Sequence, residues 1–158
     1  MKSGFDFSLD AGYFFSEMFG AGFKYERFKS SNTIQNLEGD ITLNFIGPGF
    51  SMRFFDHTKT NCWFMNYGIG YMGYKENATA PGNSVTMTGS TAGFVMDVGY
   101  DLAISKNWSA GIQLSLLSGV LTEMKVTSNG VTQKVKLEKD QYEGLARLNI
   151  SIGLRCNL

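Results

Sequence analysis

The amino-acid sequence predicts an all-β protein, an antiparallel up-and-down transmembrane β-barrel in which seven strands are visible and an eighth is expected. From Ala92 to Ile104 every even position is apolar, and most of the odd positions are small or polar. This period of two is typical of a strand with one apolar face, and the segment is long enough to cross a bilayer obliquely. The 14% of aromatic residues and the 19 glycines, against two prolines, also favour strands. No apolar run reaches the roughly 18 residues of a transmembrane helix, so any membrane span must be β.

Composition narrows the classes of function. Lys+Arg and Asp+Glu are both 14, so the formal net charge is zero and no basic surface indicates nucleic-acid binding. The first residues alternate at once and contain no apolar core of a signal peptide. Cys62 and Cys156 fit no metal-ligand spacing; their redox state is left open, and we do not expect a disulfide.

The first three strands follow from the same alternation. Strand one covers residues 5–13 and strand two residues 19–26, and the polar run 29–40 predicts a longer loop. Strand three covers residues 41–54, with a bend or bulge predicted at Gly47-Pro48-Gly49. We expect its apolar face to carry Ile41, Leu43, Phe45, Phe50, Met52 and Phe54.

The remaining strands are separated by a second long loop at residues 75–89 and by short turns. Strand four covers residues 63–71, the segment described first is strand five, and strand six covers residues 108–116. The last strand covers residues 146–156.

The polar stretch at residues 121–143 contains a hairpin signal. Asn129-Gly130 lies between two β-rich arms and predicts a two-residue turn. We expect this hairpin to project as a continuation of the last two strands.

The connections between strands alternate in the order short, long, short, long, short, long. In an up-and-down meander this order brings all short turns to one end, as in outer-membrane barrels with short periplasmic turns and longer extracellular loops. Such barrels have an even number of strands and both termini in the periplasm. We therefore predict that the chain is N-terminally incomplete, lacking one strand before Met1.

We expect the apolar face to point outward, towards lipid. An eight-stranded barrel has little room for about five large side chains from each strand, whereas the other face is rich in Gly and Ser. Charges enclosed in a narrow barrel must pair, so we expect an ion-pair network and no continuous channel. The charges predicted in the barrel interior are Asp6, Asp10, Lys24, Glu26, Arg53, Asp97, Asp101, Arg147 and Arg155.

Aromatic residues concentrate near both ends of the predicted strands. Such an arrangement is typical of the two aromatic girdles of a membrane barrel. The residues predicted to form the girdles are Tyr13, Trp63 and Trp108 at the short-turn end, and Tyr25, Tyr71 and Tyr74 at the loop end.

The segments ITLNFIGPGFSMRFF, WFMNYGIGYMGYKEN and LARLNISIGLRCNL resemble the outer-membrane β-barrel domain of Bacteroides-type bacteria, a porin-like family. The resemblance extends over about residues 5–158, and FIGPGF is its sharpest part. It implies a small barrel in the outer membrane and no shared catalytic motif. The chain differs from a complete member in lacking a signal peptide, an opening strand and a terminal aromatic residue.

These observations predict a single domain over residues 1–158 in the bacterial outer membrane, with a filled polar interior and a structural or loop-mediated binding role. We expect no enzyme activity, cofactor or metal, because the single histidine, His57, lies in a short turn away from lipopolysaccharide. The expected partners are the lipid bilayer, lipopolysaccharide and an extracellular partner at loops 29–40, 75–89 and 121–143, but no nucleic acid. Two alternatives stay open: a narrow porin-like channel for small solutes and a soluble lipocalin-like binder of apolar ligands.

Overall fold

The computed structural model of the protein describes residues 4–34, 37–58, 60–80, 83–128, 130–137 and 142–156. These residues contain no helix that is long and apolar enough to span a membrane. Every strand pairing among them is antiparallel. The strands of this part of the chain are β1 (Phe5–Phe14), β2 (Phe19–Ile34), β3 (Leu37–Phe55), β4 (Cys62–Ala80), β5 (Asn83–Ala103), β6 (Trp108–Leu121), β7 (Glu123–Ser128), β8 (Val131–Lys136), β9 (Glu143–Gly144) and β10 (Arg147–Cys156).

Seven of these strands form the main path of the sheet, in the order β1-β2-β3-β4-β5-β6-β10. They correspond to the seven strands that the sequence predicts, so the all-β antiparallel class is confirmed. β9 pairs with β6 in the register that β10 continues. Among the described residues β1 pairs only with β2 and β10 only with β6, and the sheet is therefore open between β1 and β10.

Two of the predicted long loops are strands instead. β2 and β3 stay paired as far as Ile34 and Leu37, which replaces the predicted loop at residues 29–40. β4 and β5 stay paired as far as Ala80 and Asn83, which replaces the predicted loop at 75–89. The prediction is wrong because a polar hairpin keeps its backbone ladder without any apolar alternation. The turns joining β1 to β2, β3 to β4 and β5 to β6 are short and lie at the opposite end of the sheet.

β3 has no bulge at Gly47-Pro48-Gly49, which is one of the two forms that the sequence predicts for the interruption. Phe45 pairs with Met72 and Gly49 with Gly68, so the register of β3 against β4 is the same on both sides of Pro48. A Cβ at Gly47 would collide with the carbonyl oxygen of Ile69, so only glycine allows these two strands to approach here. β3 therefore keeps one alternation of faces throughout.

The predicted hairpin is present as β7 and β8, and Gly130 at its turn has a φ of 79°. Asn129 lies outside the described residues. The hairpin continues the last two strands, as the sequence predicts: β7 follows β6 along the same edge of β5, and β8 pairs with β7 as β9 and β10 pair with β6. Gly93 pairs with Gly119 and Gly89 with Met124, so the chain holds one extra residue between β6 and β7. The bulge separates β6 from β7, and β7 pairs with the part of β5 that lies away from the short turns.

Candidate functional site

The candidate site has two parts, a charged cluster on the inner face of the sheet and the rim around the β7–β8 hairpin. The inner face is the one on which side chains of β10 reach those of β1 and β2. It is the face with the small and charged side chains, and strand alternation places all nine predicted interior charges on it.

Lys24 on β2 is the centre of the first charged group. Its Nζ lies 2.9 Å from Asp97 Oδ2, 3.5 Å from Asp10 Oδ1 and 3.7 Å from Glu26 Oε2. The Lys24 and Asp97 side chains are only 6% and 0% exposed. One buried ammonium therefore connects carboxylates from three strands, β1, β2 and β5.

Arg147 on β10 joins the last strand of the sheet to the first two. Its guanidinium forms ion pairs with Asp6 on β1 and Glu26 on β2. The guanidinium carbon also lies 4.3 Å from the ring centroid of Phe28. These contacts curl the sheet, because β1 and β10 are the opposite ends of the main path.

Arg155 forms the third charged group, nearer the short turns. It pairs with Asp101 and donates a hydrogen bond of 2.7 Å to the Gln113 side-chain oxygen. Its guanidinium carbon lies 3.9 Å from the centroid of the Phe64 ring. Gln113 and Phe64 did not stand out in the sequence, although both are at inward positions of their strands.

Arg53 is the one predicted interior charge that lies apart from the other eight. Its Nε donates a 2.8 Å hydrogen bond to the Glu17 carbonyl oxygen in the β1–β2 turn. Its guanidinium carbon is 3.8 Å from the Phe14 ring centroid. Arg53 therefore anchors the short-turn end of the sheet.

An apolar cluster fills the inner face on the side away from the short turns, beginning at the level of Glu26 and Arg147. Leu43 and Phe45 belong to it, with exposed fractions of 8% and 0%, so the prediction that they lie on the outward face is wrong. Because β3 has no bulge, they share a face with Ser51 and Arg53. The buried members of the cluster are Leu43, Phe45, Met72, Tyr74, Val95, Leu117, Leu121 and Leu145.

The predicted girdle residues divide between the two faces. Tyr13 is 76% exposed, and Trp63, Trp108 and Tyr71 are also exposed on the outer face. Tyr25 is half-buried. The prediction for Tyr74 is wrong: it lies three positions from Tyr71, hence on the opposite face, and is 9% exposed. Its hydroxyl donates a hydrogen bond to Glu76.

A cavity of about 230 Å³ lies on the outer face at the base of the β7–β8 hairpin. Glu123 and Lys134 form an ion pair of 2.5 Å beside it. The hydrogen bond from Lys134 and its positive charge lower the pKa of the Glu123 carboxyl. The cavity is lined by Tyr71, Thr88, Gly89, Ser90, Glu123, Met124, Lys125 and Lys134.

His57 lies exposed in the β3–β4 turn, beside a hydrogen-bonded Asp56. Although desolvation acts in the other direction, hydrogen bonds from Thr58, Thr60 and Asn61 lower the pKa of Asp56. Within the described ranges no group of three or more His, Cys, Asp or Glu residues could hold a metal ion. Cys62 is buried, Cys156 is exposed, and both are free thiols.

No family model matches this chain, and no curated protein matches it either.

Proposed function

We propose that this protein is a small integral outer-membrane β-barrel with a filled polar interior. The observation that supports this most directly is that the polar face is enclosed and the apolar face is exposed, which is the reverse of a soluble protein. Ion pairs and hydrogen-bonding groups are enclosed on one face, whereas large apolar side chains are exposed on the other. Soluble proteins rarely expose an apolar patch larger than a few hundred Å². The exposed apolar side chains include Phe5, Phe7, Leu9, Tyr13, Phe23, Ile46, Phe50, Trp63, Ile69, Tyr71, Phe94, Leu102, Trp108, Ile112, Leu114, Leu116, Leu148, Ile150, Ile152 and Leu154.

The length of the apolar band suits a bilayer. On β6 the outward positions from Trp108 to Leu116 are apolar, which is a stretch of nine residues. A tilted transmembrane strand needs about 9–11 residues, and outer-membrane barrels carry aromatic girdles at both ends of their apolar band. Trp63 and Trp108 lie at the short-turn end of the band, and Tyr71 lies at the other end.

Closure of the sheet needs one further strand between β1 and β10. Six antiparallel pairings separate these strands, so they run in the same direction and only an odd number of antiparallel strands fits between them. One inserted strand sets them about 10 Å apart and three would set them about 19 Å apart. The direct pairing of Arg147 with Asp6 suits the smaller gap. We therefore propose an eight-stranded barrel.

The interior is proposed to be filled rather than open. The apolar cluster around Phe45 and Met72 covers one end of the inner face. Beside Lys24 and Asp10 there is a cavity of about 40 Å³, which is room for about one water molecule. A network of paired charges and an apolar cluster together leave little space for solute flow.

An arginine in the middle of the outer band tests the membrane assignment. Ile112→Arg is expected to destabilise the protein by about 2–4 kcal/mol when it is reconstituted into phosphatidylcholine vesicles, because the charge lies near the bilayer midplane. The measurement is urea unfolding followed by tryptophan fluorescence. Val131→Arg on the exposed strand β8 is the matched control, since both residues are exposed, and a change within about 0.5 kcal/mol is expected there. Equal effects of the two variants, or a protein that stays soluble without detergent, would contradict the proposal.

The β7–β8 hairpin is the best candidate for a loop-mediated binding role. All six residues of β8 are exposed, and its outer edge has no partner strand in the described part of the chain. An exposed edge can accept a strand of another protein. Deleting residues 124–136 is expected to preserve the strand content in circular dichroism and to abolish crosslinking to neighbouring envelope proteins on intact cells. Loss of the whole fold, or unchanged crosslinking, would argue against this role.

A further inference from the structure

A row of lysines and threonines crosses the outer face above the apolar band. Direct cross-strand pairings join Lys29 to Thr42, Thr42 to Lys75, Lys75 to Thr88, Thr88 to Lys125 and Lys125 to Lys134. Residues opposite each other in a ladder point to the same side, so these six side chains share the outer face. The four lysines are exposed. We call this set the lysine row.

The lysine row lies beyond the limit of the apolar band. Tyr71 is at the end of the band on β4, and Lys75 is four residues further along the same strand, a distance of about 13 Å. On the outer face beyond the apolar band, basic side chains outnumber acidic ones among the residues whose burial the structure describes. The basic residues are Arg27, Lys29, Lys75, Lys125, Lys134 and Lys136, and the acidic ones include Asp40 and Glu123.

The row is most concentrated at the hairpin, where Lys125 and Lys134 are directly opposite each other. Like charges in this arrangement repel. Glu123 pairs with Lys134, and among the described residues Lys125 has no ion pair of its own, so another anion can balance it. The cavity of about 230 Å³ lies at this position, with both lysines and the hydroxyl-bearing Thr88 and Ser90 in its lining.

The size and lining of this cavity suit a phosphorylated headgroup. A volume of 230 Å³ equals about eight water molecules at their volume in the liquid, which is enough for a phosphate and part of a sugar. Ammonium and hydroxyl groups both donate hydrogen bonds to phosphate oxygens. Tyr71 lines the cavity on the side of the apolar band and has an apolar ring with a polar hydroxyl, as is typical of aromatic residues at membrane interfaces.

We propose that the lysine row and the cavity at Lys125 bind the phosphate groups of an anionic glycolipid of the lipid A type in the outer leaflet. The proposal rests on the outer-membrane assignment above and adds a ligand class and named residues to it. Lipid tails pack against the apolar band, while the phosphates lie at the level of the row. The protein thereby fixes its depth in the membrane through specific headgroup contacts.

Lipid A binding to the detergent-solubilised protein, titrated by native mass spectrometry, tests the proposal. Each lysine removed is expected to weaken binding about fivefold, so Lys125→Gln and Lys75→Gln each give this loss and the double variant about twenty-fivefold. Lys106→Gln, in the turn between β5 and β6 at the opposite end of the sheet, is the matched control with no loss. Circular dichroism confirms that each variant is folded.

Flotation with vesicles separates the failure of this inference from the failure of the proposed function. The protein is expected to insert into phosphatidylcholine vesicles and to prefer those that also contain lipid A, but not dephosphorylated lipid A. Insertion without any such preference would overturn the lipid site and leave the barrel intact. Absence of insertion into every vesicle would overturn both. Inorganic phosphate that binds as tightly as lipid A would reassign the row to a free anion and overturn the lipid assignment.

Discussion

Replacing Arg147 by methionine is expected to lower the free energy of unfolding by about 3–5 kcal/mol, because a buried ion pair loses its cation. Arg147 is paired with both Asp6 and Glu26, whose side chains are only 9% and 2% exposed. Methionine fills part of the volume but leaves the Asp6 and Glu26 carboxylates close together without the guanidinium, and of the two, within the described part of the chain, only Glu26 keeps an ion pair, with Lys24. The same change removes the contact that holds β10 against β1 and β2.

Urea unfolding of the protein in detergent micelles measures this effect, with Arg27→Met as the matched control. Arg27 is an exposed arginine on the outer face of β2, and a change within about 0.5 kcal/mol is expected for it. Adding Glu26→Gln and Asp6→Asn to Arg147→Met should recover much of the loss, since the unpaired charges are then removed. Equal stability of Arg147→Met and Arg27→Met would show that the network contributes nothing.

Replacing Phe45 by alanine is expected to cost about 3–5 kcal/mol, because it opens a cavity in close-packed surroundings. Phe45 is fully buried and belongs to the inner apolar cluster with Met72 and Val95. Phe50→Ala on the same strand is the matched control, with a side chain that is 41% exposed on the outer face. Its cost is expected to be about 2 kcal/mol, because lipid or detergent fills the space that the ring leaves.

The two phenylalanines are compared by unfolding in the same micelles, and by ion conductance in planar bilayers. The Phe45 variant is expected to show the larger loss of stability and more frequent conductance events, because the cluster that covers the inner face loses one of its rings. Phe50→Ala is expected to produce no conductance events in the bilayer. A Phe45 variant as stable as the Phe50 variant would mean that this cluster is not close-packed.

The main strands could be predicted because a half-exposed strand leaves a period of two in the sequence. The stretch from Phe94 to Leu102 alternates without a break, and its odd positions Asp97, Gly99 and Asp101 are buried while the even ones face outward. The charged residues of the inner face could be named for the same reason. Their partners could not, since pairs such as Arg147 and Asp6 depend on how far the sheet curls.

The faces of β3 were mispredicted because apolar residues occur on both of them. Leu43 and Phe45 continue one alternation and Phe50 and Phe54 the other, so the sequence alone suggested that the strand changes phase at Gly47-Pro48-Gly49. The ladder keeps its register instead. The face of Tyr74 was predictable, since an odd separation from Tyr71 within one strand reverses the side.

The polar ends of β2 to β5 could not be predicted from the sequence, for a different reason. Strand prediction from alternation depends on one face being apolar, and these ends have no such face. Their order comes from backbone hydrogen bonds that continue from the apolar part, as in the pairing of Ser31 with Asp40. The lysine row was missed with them, because it becomes a row only when the registers of five strand pairs are known.

The neighbour relations along the main path also set the order in which the sheet can assemble. β1 to β5 each pair with the next strand in sequence, and the first, third and fifth connections are short turns, so three hairpins can form independently of one another. The pairing of β6 with β10 must instead wait for the intervening segment with its own hairpin. Closing this segment costs about 1.5 kcal/mol more in chain entropy than closing a four-residue turn. We expect β10 to be the last strand to dock, and we expect its pairing with β6 to be the slow step of folding and of membrane insertion.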